Sequence, residues 1–391
     1  MRRIGTEERR ARLGRRHHLA QTDGAADVVE AARGVVALHG TDPASVYLAA
    51  LARMRDPGID AIDRALYEER TLVRLLGMRR TMFVLPTDCA PVVQASCAPA
   101  IAAQQRRLLL RLIEDAGVPN HGERWLASLE EATLAVVDRL GEATAAELAV
   151  AEPRLREQLL LAPGKPYEAR QSVSTRVLLL LGTEGRVVRG RPRGSWTSTQ
   201  YRWSAAHRWL PGGIPQMPAA EAEAELVRRW LRAFGPGTAA DVRWWTGWTA
   251  RQVARALTAV GAVEVELDGA TGWVLPGDEE PVASPEPWAA LLPALDPTVM
   301  GWPARQWFLG DHGPALFDRS GNAGPTVWWD GRVVGGWAQR PGGEIRFRLF
   351  EDAGADAVAA VGAEAERLAG WIGGVRVVPR FRTPLERELS A

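Results

Sequence analysis

The sequence predicts an α+β fold: three tandem units of short helices closed by a hairpin, then a β-rich, barrel-like C-terminal domain. Three observations carry this. The order of two or three helices and a hairpin recurs three times along the 391 residues. Turn residues (Gly, Pro, Asp) punctuate the hairpins. Past a proline-rich linker at 279–287, helical periodicity gives way to alternating apolar residues around tight turns. Hydrophobic residues at 46% and charged residues at 24% are the balance of a folded chain long enough for several cores, which excludes wholesale disorder.

In the first unit, 1–86, Asp27 is an N-cap for a helix running to about Leu38. Pro43 opens a second helix to Met54, and 59–70 reads as a third. Strands follow at 71–74 and 80–85 with 75–79 turning between them, and Pro86 ends the unit. A helical connector, 87–125, carries Gln104, Gln105, Arg106, Arg107 and Arg111. The second unit, 126–210, has a helix to Leu140, a turn at 141–144, a helix at 145–150 and a recognition-type helix at 174–181. Its hairpin, 187–203, is interrupted by Gly190, Pro192 and Gly194 and is the most basic stretch of the protein, with Arg186, Arg189, Arg191, Arg193 and Arg202 in or beside it.

The third unit, 218–278, repeats the pattern with helices at 220–234, 239–245 and 249–260 and strands at 263–267 and 272–275. The loop 268–271 between those strands makes this hairpin acidic, so it is not expected on phosphates. In the last domain, 288–391, Asp330-Gly331 between alternating apolar residues is a hairpin signal. Strands are expected at 326–329, 332–338 and 344–350, a helix at 354–371, and a final strand at 375–378. Helices followed by a hairpin are the order of a winged helix, a variant of the helix-turn-helix that docks on DNA.

Composition narrows the functional classes. The net charge is only +1, yet of 48 basic residues a single one, Lys165, is lysine. Genomic GC bias accounts for the larger share of this, but arginine is also the better partner for phosphates and base edges. Eleven of the sixteen tryptophans fall between Trp196 and Trp307, where core and interdomain packing is the first expectation and stacking on bases the second. Two cysteines, Cys89 and Cys97, are too few for a disulfide framework or a zinc cluster, and the six histidines show no ligand spacing, so no metal is expected. No phosphate-cradling glycine loop appears, and no cofactor is expected. The charged start, 1–6, is unlike a secretory signal, and no apolar run reaches the roughly 20 residues of a membrane span. A cytoplasmic protein is the expectation. His17 and His18, in a basic N-terminal segment, are expected at solvent or phosphate.

The segment Leu38-His39-Gly40-Thr41-Asp42-Pro43, together with Arg79-Arg80-Thr81-Met82-Phe83-Val84-Leu85-Pro86, resembles a bacterial group of winged-helix DNA glycosylases. That group includes azinomycin self-resistance and interstrand-crosslink-unhooking enzymes. The likeness extends over nearly the whole chain, to the turn around Trp329-Asp330-Gly331-Arg332. It implies excision of alkylated purines of the N7-guanine or N3-adenine type, bulky or crosslinked ones included, in DNA repair or genotoxin resistance. The family's catalytic element is usually Gln-x-Gln before an Asp-Pro-like turn; the matching positions here hold His39 and Thr41, a departure from the pattern.

N7 alkylation already makes the purine a good leaving group, so such an enzyme chiefly positions water and stabilises an oxocarbenium-like sugar. The resemblance gives His39 the role of base or water-orienter, Thr41 that of hydrogen-bonding partner and Asp42 that of electrostatic stabiliser. Each has a structural reading beside it: Asp42 before Pro43 is a helix N-cap, Thr41 caps too, and His39 ends a helix as a satisfied structural residue. Glycosylases that also cut the strand often use a lysine Schiff base; Lys165 lies in a Pro-Gly-Lys-Pro loop far from the motif, so a monofunctional enzyme is expected.

Contact with duplex DNA is assigned to Arg79 and Arg80 beside the first hairpin and to Arg176, Arg189, Arg191 and Arg193 in the second unit. Ser195, Trp196 and Tyr201 are expected at sugar or base faces. Phosphate contacts bind without sequence choice, which suits damage surveillance. A non-catalytic regulator or damage binder is the alternative. Regulators ordinarily dimerise on half-sites, whereas three units in one chain without a coiled-coil segment point to a monomer.

Overall fold

Caps written in the sequence set several of the helix starts. In the computed structural model, which describes residues 1–118, 122–165 and 168–391, the chain begins with strand β1 (Arg2–Arg3) and helix α1 (Thr6–Arg16). Asp27 then accepts from the amide of Glu30 and starts α2 (Val28–Gly34). Strand β2 (Leu38–His39) follows, where the sequence led to expect a helix end, and α3 (Pro43–Leu51) begins at its cap Asp42 with proline at the first helical position. The third helix starts as α4 (Ile59–Asp63) and widens into a π-turn at Arg64–Glu68. Strands β3 (Leu72–Gly77) and β4 (Thr81–Pro86) are joined by the turn Met78–Arg80.

The chain divides into two units: Met1–Leu72 with Phe83–Pro86 and Glu223–Ala391, and Val73–Met82 with Thr87–Ala222. The second unit contains α5 (Ala90–Ser96), α6 (Ala98–Asp115), α7 (Glu123–Leu140), β5 (Glu142–Thr144) and α8 (Ala145–Ala151). Thr144 and Glu147 form a reciprocal capping box at the start of α8. A hairpin of β6 (Gln158–Leu161) and β7 (Ala169–Ser172) then leads into α9 (Val173–Thr183). The sequence reading assigned no strands here, only the Pro-Gly-Lys-Pro loop, whose Pro166 lies outside the described residues. Strands β8 (Val187–Pro192) and β9 (Tyr201–Ala205) make the hairpin expected at 187–203, the wing of the winged-helix reading; β9 also pairs with β5, and α10 (Ala206–Trp209) follows. Apolar faces of α6, α7 and α9 enclose one core of Leu109, Ile113, Leu126, Leu129, Val177 and Leu181.

In the first unit, capping boxes at Thr238/Asp241 and Thr249/Gln252 start α12 (Ala239–Thr246) and α13 (Ala250–Ala259), after α11 (Ala219–Phe234). Strands β10 (Val263–Leu267) and β11 (Ala270–Val274) form the third hairpin, turning at Asp268-Gly269. β1 pairs with β10 in parallel, Arg2 opposite Val265, which sequence reasoning did not foresee. This pairing places Arg3 3.3 Å from Glu266 and 3.0 Å from Asp268 and sets Ile4 against Val265, Leu267 and Val274.

Strands β12 (Ala289–Leu292), β13 (Thr326–Trp329), β14 (Arg332–Gln339) and β15 (Ile345–Leu349) form one antiparallel sheet in that order, with short helices α14 (Gln306–Leu309) and α15 (Gly313–Leu316) in the connection after β12. Asp330 and Gly331 both take positive φ, 44° and 78°, as a type I′ hairpin requires. Helix α16 (Ala355–Ile372) follows.

Two expectations are corrected here. Residues 375–378 are not a strand: the side chain of Gln339 replaces a backbone ladder, its Oε1 accepting from Val377 N at 2.7 Å and its Nε2 donating to Val375 O at 3.1 Å. Helix α17 (Pro384–Leu389) then ends the described chain. His17 is not at solvent but fully buried, its ring edge-on to Phe234 at 4.9 Å. The tryptophans serve mostly as core: Trp230, Trp288, Trp302 and Trp328 are at most 2% exposed. No helix among the described residues is long and apolar enough to cross a membrane.

Candidate functional site

His39 owes its place to β2, which pairs antiparallel with β4 so that His39 stands opposite Phe83. Its ring packs edge-on to Phe83, with centroids 5.6 Å apart, and it is 8% exposed. Thr41 is half-buried, two residues on, and so lies on the turn leading into α3. Asp42 is buried, and both its oxygens meet backbone amides: Oδ1 accepts from Ala44 N at 3.2 Å and Oδ2 from Arg380 N at 2.9 Å. Burial lifts the Asp42 carboxyl above the usual carboxylate range, opposed by the amides of Arg380 and Ala44 and by the Arg380 charge. The helix-cap reading of Asp42 therefore holds, and the cap also ties α3 to the C-terminal segment. Three polar side chains within four residues thus share one short, buried strand–turn–helix start.

The basic residues assigned to DNA lie in the second unit, on three elements. Arg79 and Arg80 form the β3–β4 turn, both in the left-handed region at φ 52° and 57°. Arg80 is exposed, whereas burial lowers the pKa of half-buried Arg79 from its ordinary value. Arg176 stands on the first turns of α9, its Nε donating to Gln171 Oε1 at 2.8 Å. Burial lowers its pKa, and the like charge of Arg80 lowers it further.

The wing supplies the rest. The register of β8 against β9 slips between Arg189 and Pro192. Gly190 sits where a Cβ would lie 2.9 Å from Trp209, so the breaker residues of this stretch serve a bulge and a close contact. Arg191, Arg193 and Ser195 are exposed at the tip, with Ser195 Oγ 2.8 Å from Thr197 Oγ1. Trp196 and Tyr201, expected at sugar or base faces, are 9% and 8% exposed. The Tyr201 ring lies between two guanidiniums, Arg74 at 5.1 Å and Arg189 at 5.4 Å, and Arg189 also covers Trp203 at 5.1 Å. This cation–π stack braces the base of the wing beneath its basic tip. Arg74, 3% exposed, was missed in the sequence because nothing local marks a buried arginine.

On the third hairpin the acidic residues meet cations of the same chain. Asp268 is held below its usual pKa by Arg3 and by the hydroxyl of Thr6. Lys165 is exposed in the β6–β7 loop of the second unit. Among the described residues no three histidines, cysteines or carboxylates gather as metal ligands.

Comparison with known proteins finds a likeness in sequence family and in fold. A family model described as DNA glycosylase AlkZ-like covers residues 32–371. Among solved structures, the Streptomyces sahachiroi DNA glycosylase AlkZ superposes with a TM-score of 0.73 at 20% identity, over 96% of this chain and 98% of that one, a likeness of fold. No curated protein matches.

Proposed function

The chain belongs to the AlkZ-like DNA glycosylase family, and on that premise we propose that it hydrolyses the N-glycosidic bond of alkylated purines, N7-guanine or N3-adenine adducts, in duplex DNA. The observation that carries this reading is the burial of His39 and Asp42, with half-buried Thr41 between them, at the approach to α3, the positions that match the family's catalytic pair. His39 takes the proton of an attacking water while the water oxygen bonds to C1′. The C1′–N bond breaks with its electron pair returning to the cationic base, which leaves neutral. Thr41 orients the water or sugar by hydrogen bonding. Asp42, an anion in a buried setting, favours the positive charge that develops on the sugar.

The enzyme is a glycosylase only, leaving the abasic strand intact, because this hydrolysis needs no amine nucleophile and the His39–Asp42 turn contains no lysine. Winged helices at 1–86, 126–210 and 218–278, the connector 87–125 and the barrel-like C-terminal domain 288–391 form the scaffold of a monomer acting in the cytoplasm. Arg79, Arg80, Arg176, Arg191 and Arg193 take phosphates, with Ser195 at a sugar. Arg189 and Tyr201 hold the wing from beneath, and Trp196, in the loop between its strands, is the candidate for a sugar or base face. Duplexes carrying N7-methylguanine, and others carrying a bulkier N7-guanine adduct, test this. Base release that leaves alkali-labile but uncut strands supports the proposal. Tight binding without base release shows a damage binder instead, and strand cutting without alkali shows a bifunctional enzyme.

A further inference from the structure

We propose that Arg53 and Asp296, with Thr298 and His17, are positioning residues that fix helix α3 and through it the His39–Asp42 turn; the inference rests on the reading of that turn as catalytic. Arg53 lies two residues beyond the C-terminal end of α3, at the opposite end from Asp42. Its guanidinium meets Asp296 as a fork, Nη1 to Oδ2 at 2.9 Å and Nη2 to Oδ1 at 2.7 Å, and both side chains are 0% exposed. Nη1 also donates to Ala49 O at 2.6 Å and Nη2 to Thr298 Oγ1 at 2.8 Å, while Asp296 Oδ1 accepts from Thr298 N at 2.9 Å.

The network continues in one direction. Ala233 O can only accept, so His17 Nε2, 3.1 Å away, carries a proton. Burial, and then the nearby Arg53 charge, lower the pKa of the ring and favour its neutral form. Nδ1 then accepts from the Thr298 hydroxyl at 2.8 Å, whose oxygen accepts from Arg53. Four segments distant in sequence, α1, α3, the end of α11 and 296–298, meet at this point.

Stability alone does not explain such a group. A buried ion pair gains little over apolar residues of the same shape, because desolvation offsets the attraction. Directional bonds supply something apolar contacts do not, a single rotation and height for the helix. α3 is fastened at three points along about 13 Å: Asp42 to Arg380 N, Ser45 Oγ to Ala294 O at 2.7 Å, and Arg53 to Asp296. Two of the three fastenings come from the short stretch 294–298. A reacting group displaced by about 1 Å loses up to about 100-fold in rate, so a helix free to slip would misplace His39 and Thr41 at its head.

The test compares wild type with R53M/D296N, which removes both buried charges and keeps an acceptor for Thr298 N, and with R53K, which keeps the charge and loses the fork. Three readouts are taken: single-turnover base release at saturating enzyme, Kd for the same duplex, and hydrogen exchange of the Ala44 amide. The proposal expects R53M/D296N to release base at least about tenfold more slowly, with Kd within about twofold and faster Ala44 exchange. R53K shifts the same way by less. Wild-type rate and exchange in a folded R53M/D296N overturn the proposal. Should that variant fail to fold, wild-type rate and exchange in R53K overturn it. If the wild-type protein releases no base, the catalytic reading fails by itself, and Ala44 exchange alone decides whether these residues position α3.

Discussion

In the first unit, polar side chains at both ends of α3 are buried and held: at its head Asp42 by two backbone amides and His39 against Phe83, and past its far end Arg53 by a fork on Asp296. In the second unit the wing does the reverse, burying an arginine–tyrosine–arginine stack at its base and leaving Arg191, Arg193 and Ser195 exposed. The difference separates two tasks. Proton transfer and charge stabilisation need fixed geometry and little water, which burial and satisfied hydrogen bonds provide. Phosphate binding needs long cations in solvent that release counterions, and geometry matters less. Affinity and chemistry are therefore expected to fail separately when each region is altered.

The largest effect falls on the buried region. His39→Ala is expected to slow single-turnover base release by about 100- to 1000-fold while Kd for the duplex moves less than about threefold, as a binding isotherm alongside the rate would report. A comparable loss of binding would join the two tasks that the structure separates.

The wing comes next. Arg191→Ala with Arg193→Ala weakens duplex binding by about tenfold at moderate salt and lowers the slope of log K against log salt by about two, measured by anisotropy titrations across a salt series. Tyr201→Leu removes the ring between Arg74 and Arg189 without touching an exposed charge. It sharpens the comparison by weakening binding with the salt slope unchanged.

Asp42→Ala removes a cap and the tie to Arg380. It costs about 1–2 kcal/mol, read as a fall in Tm, in addition to its effect on rate. The smallest effect is a pH dependence. Because the folded-state pKa of Asp42 is raised, its contribution to stability is fullest below the ordinary carboxylate value and declines as pH rises through the folded-state value. D42N lacks this titration. Its stability deficit relative to wild type should therefore shrink from pH 4 to pH 7 in paired thermal melts, and a widening deficit would show that the carboxyl is stabilised as an anion.

How much of this was legible in the sequence follows the range of the interactions involved. Asp27, Asp42, Thr144, Thr238 and Thr249 are local caps, and the helices they start were found within a few residues of their true ends. Asp330-Gly331 is a local turn and was found too. What escaped is held by distant partners. Arg2–Arg3 becomes a strand only because Val265–Glu266 lies beside it, and His17 is buried only because Thr298 and Ala233 accept its ring. Residues 375–378 alternate like a strand, but a glutamine side chain takes their hydrogen bonds.

The site was legible in part. His39 and Thr41 came from likeness to a family, since two polar residues before an Asp-Pro turn carry no signal of their own. The wing arginines came from composition alone. Arg53 and Asp296, 243 residues apart, show no pattern in one dimension.

The most direct test of the division of labour is a crossed comparison at saturating enzyme on a duplex with one N7-alkylguanine. Wild type, H39A and R191A/R193A are each assayed for the single-turnover rate of base release. The structure predicts that the wing variant, once saturated, releases base at close to the wild-type rate, and that H39A at saturation remains slower by about 100-fold or more. A wing variant that stays slow at saturation beside an H39A protein that recovers would contradict the account, placing the chemistry on the wing and not at the head of α3.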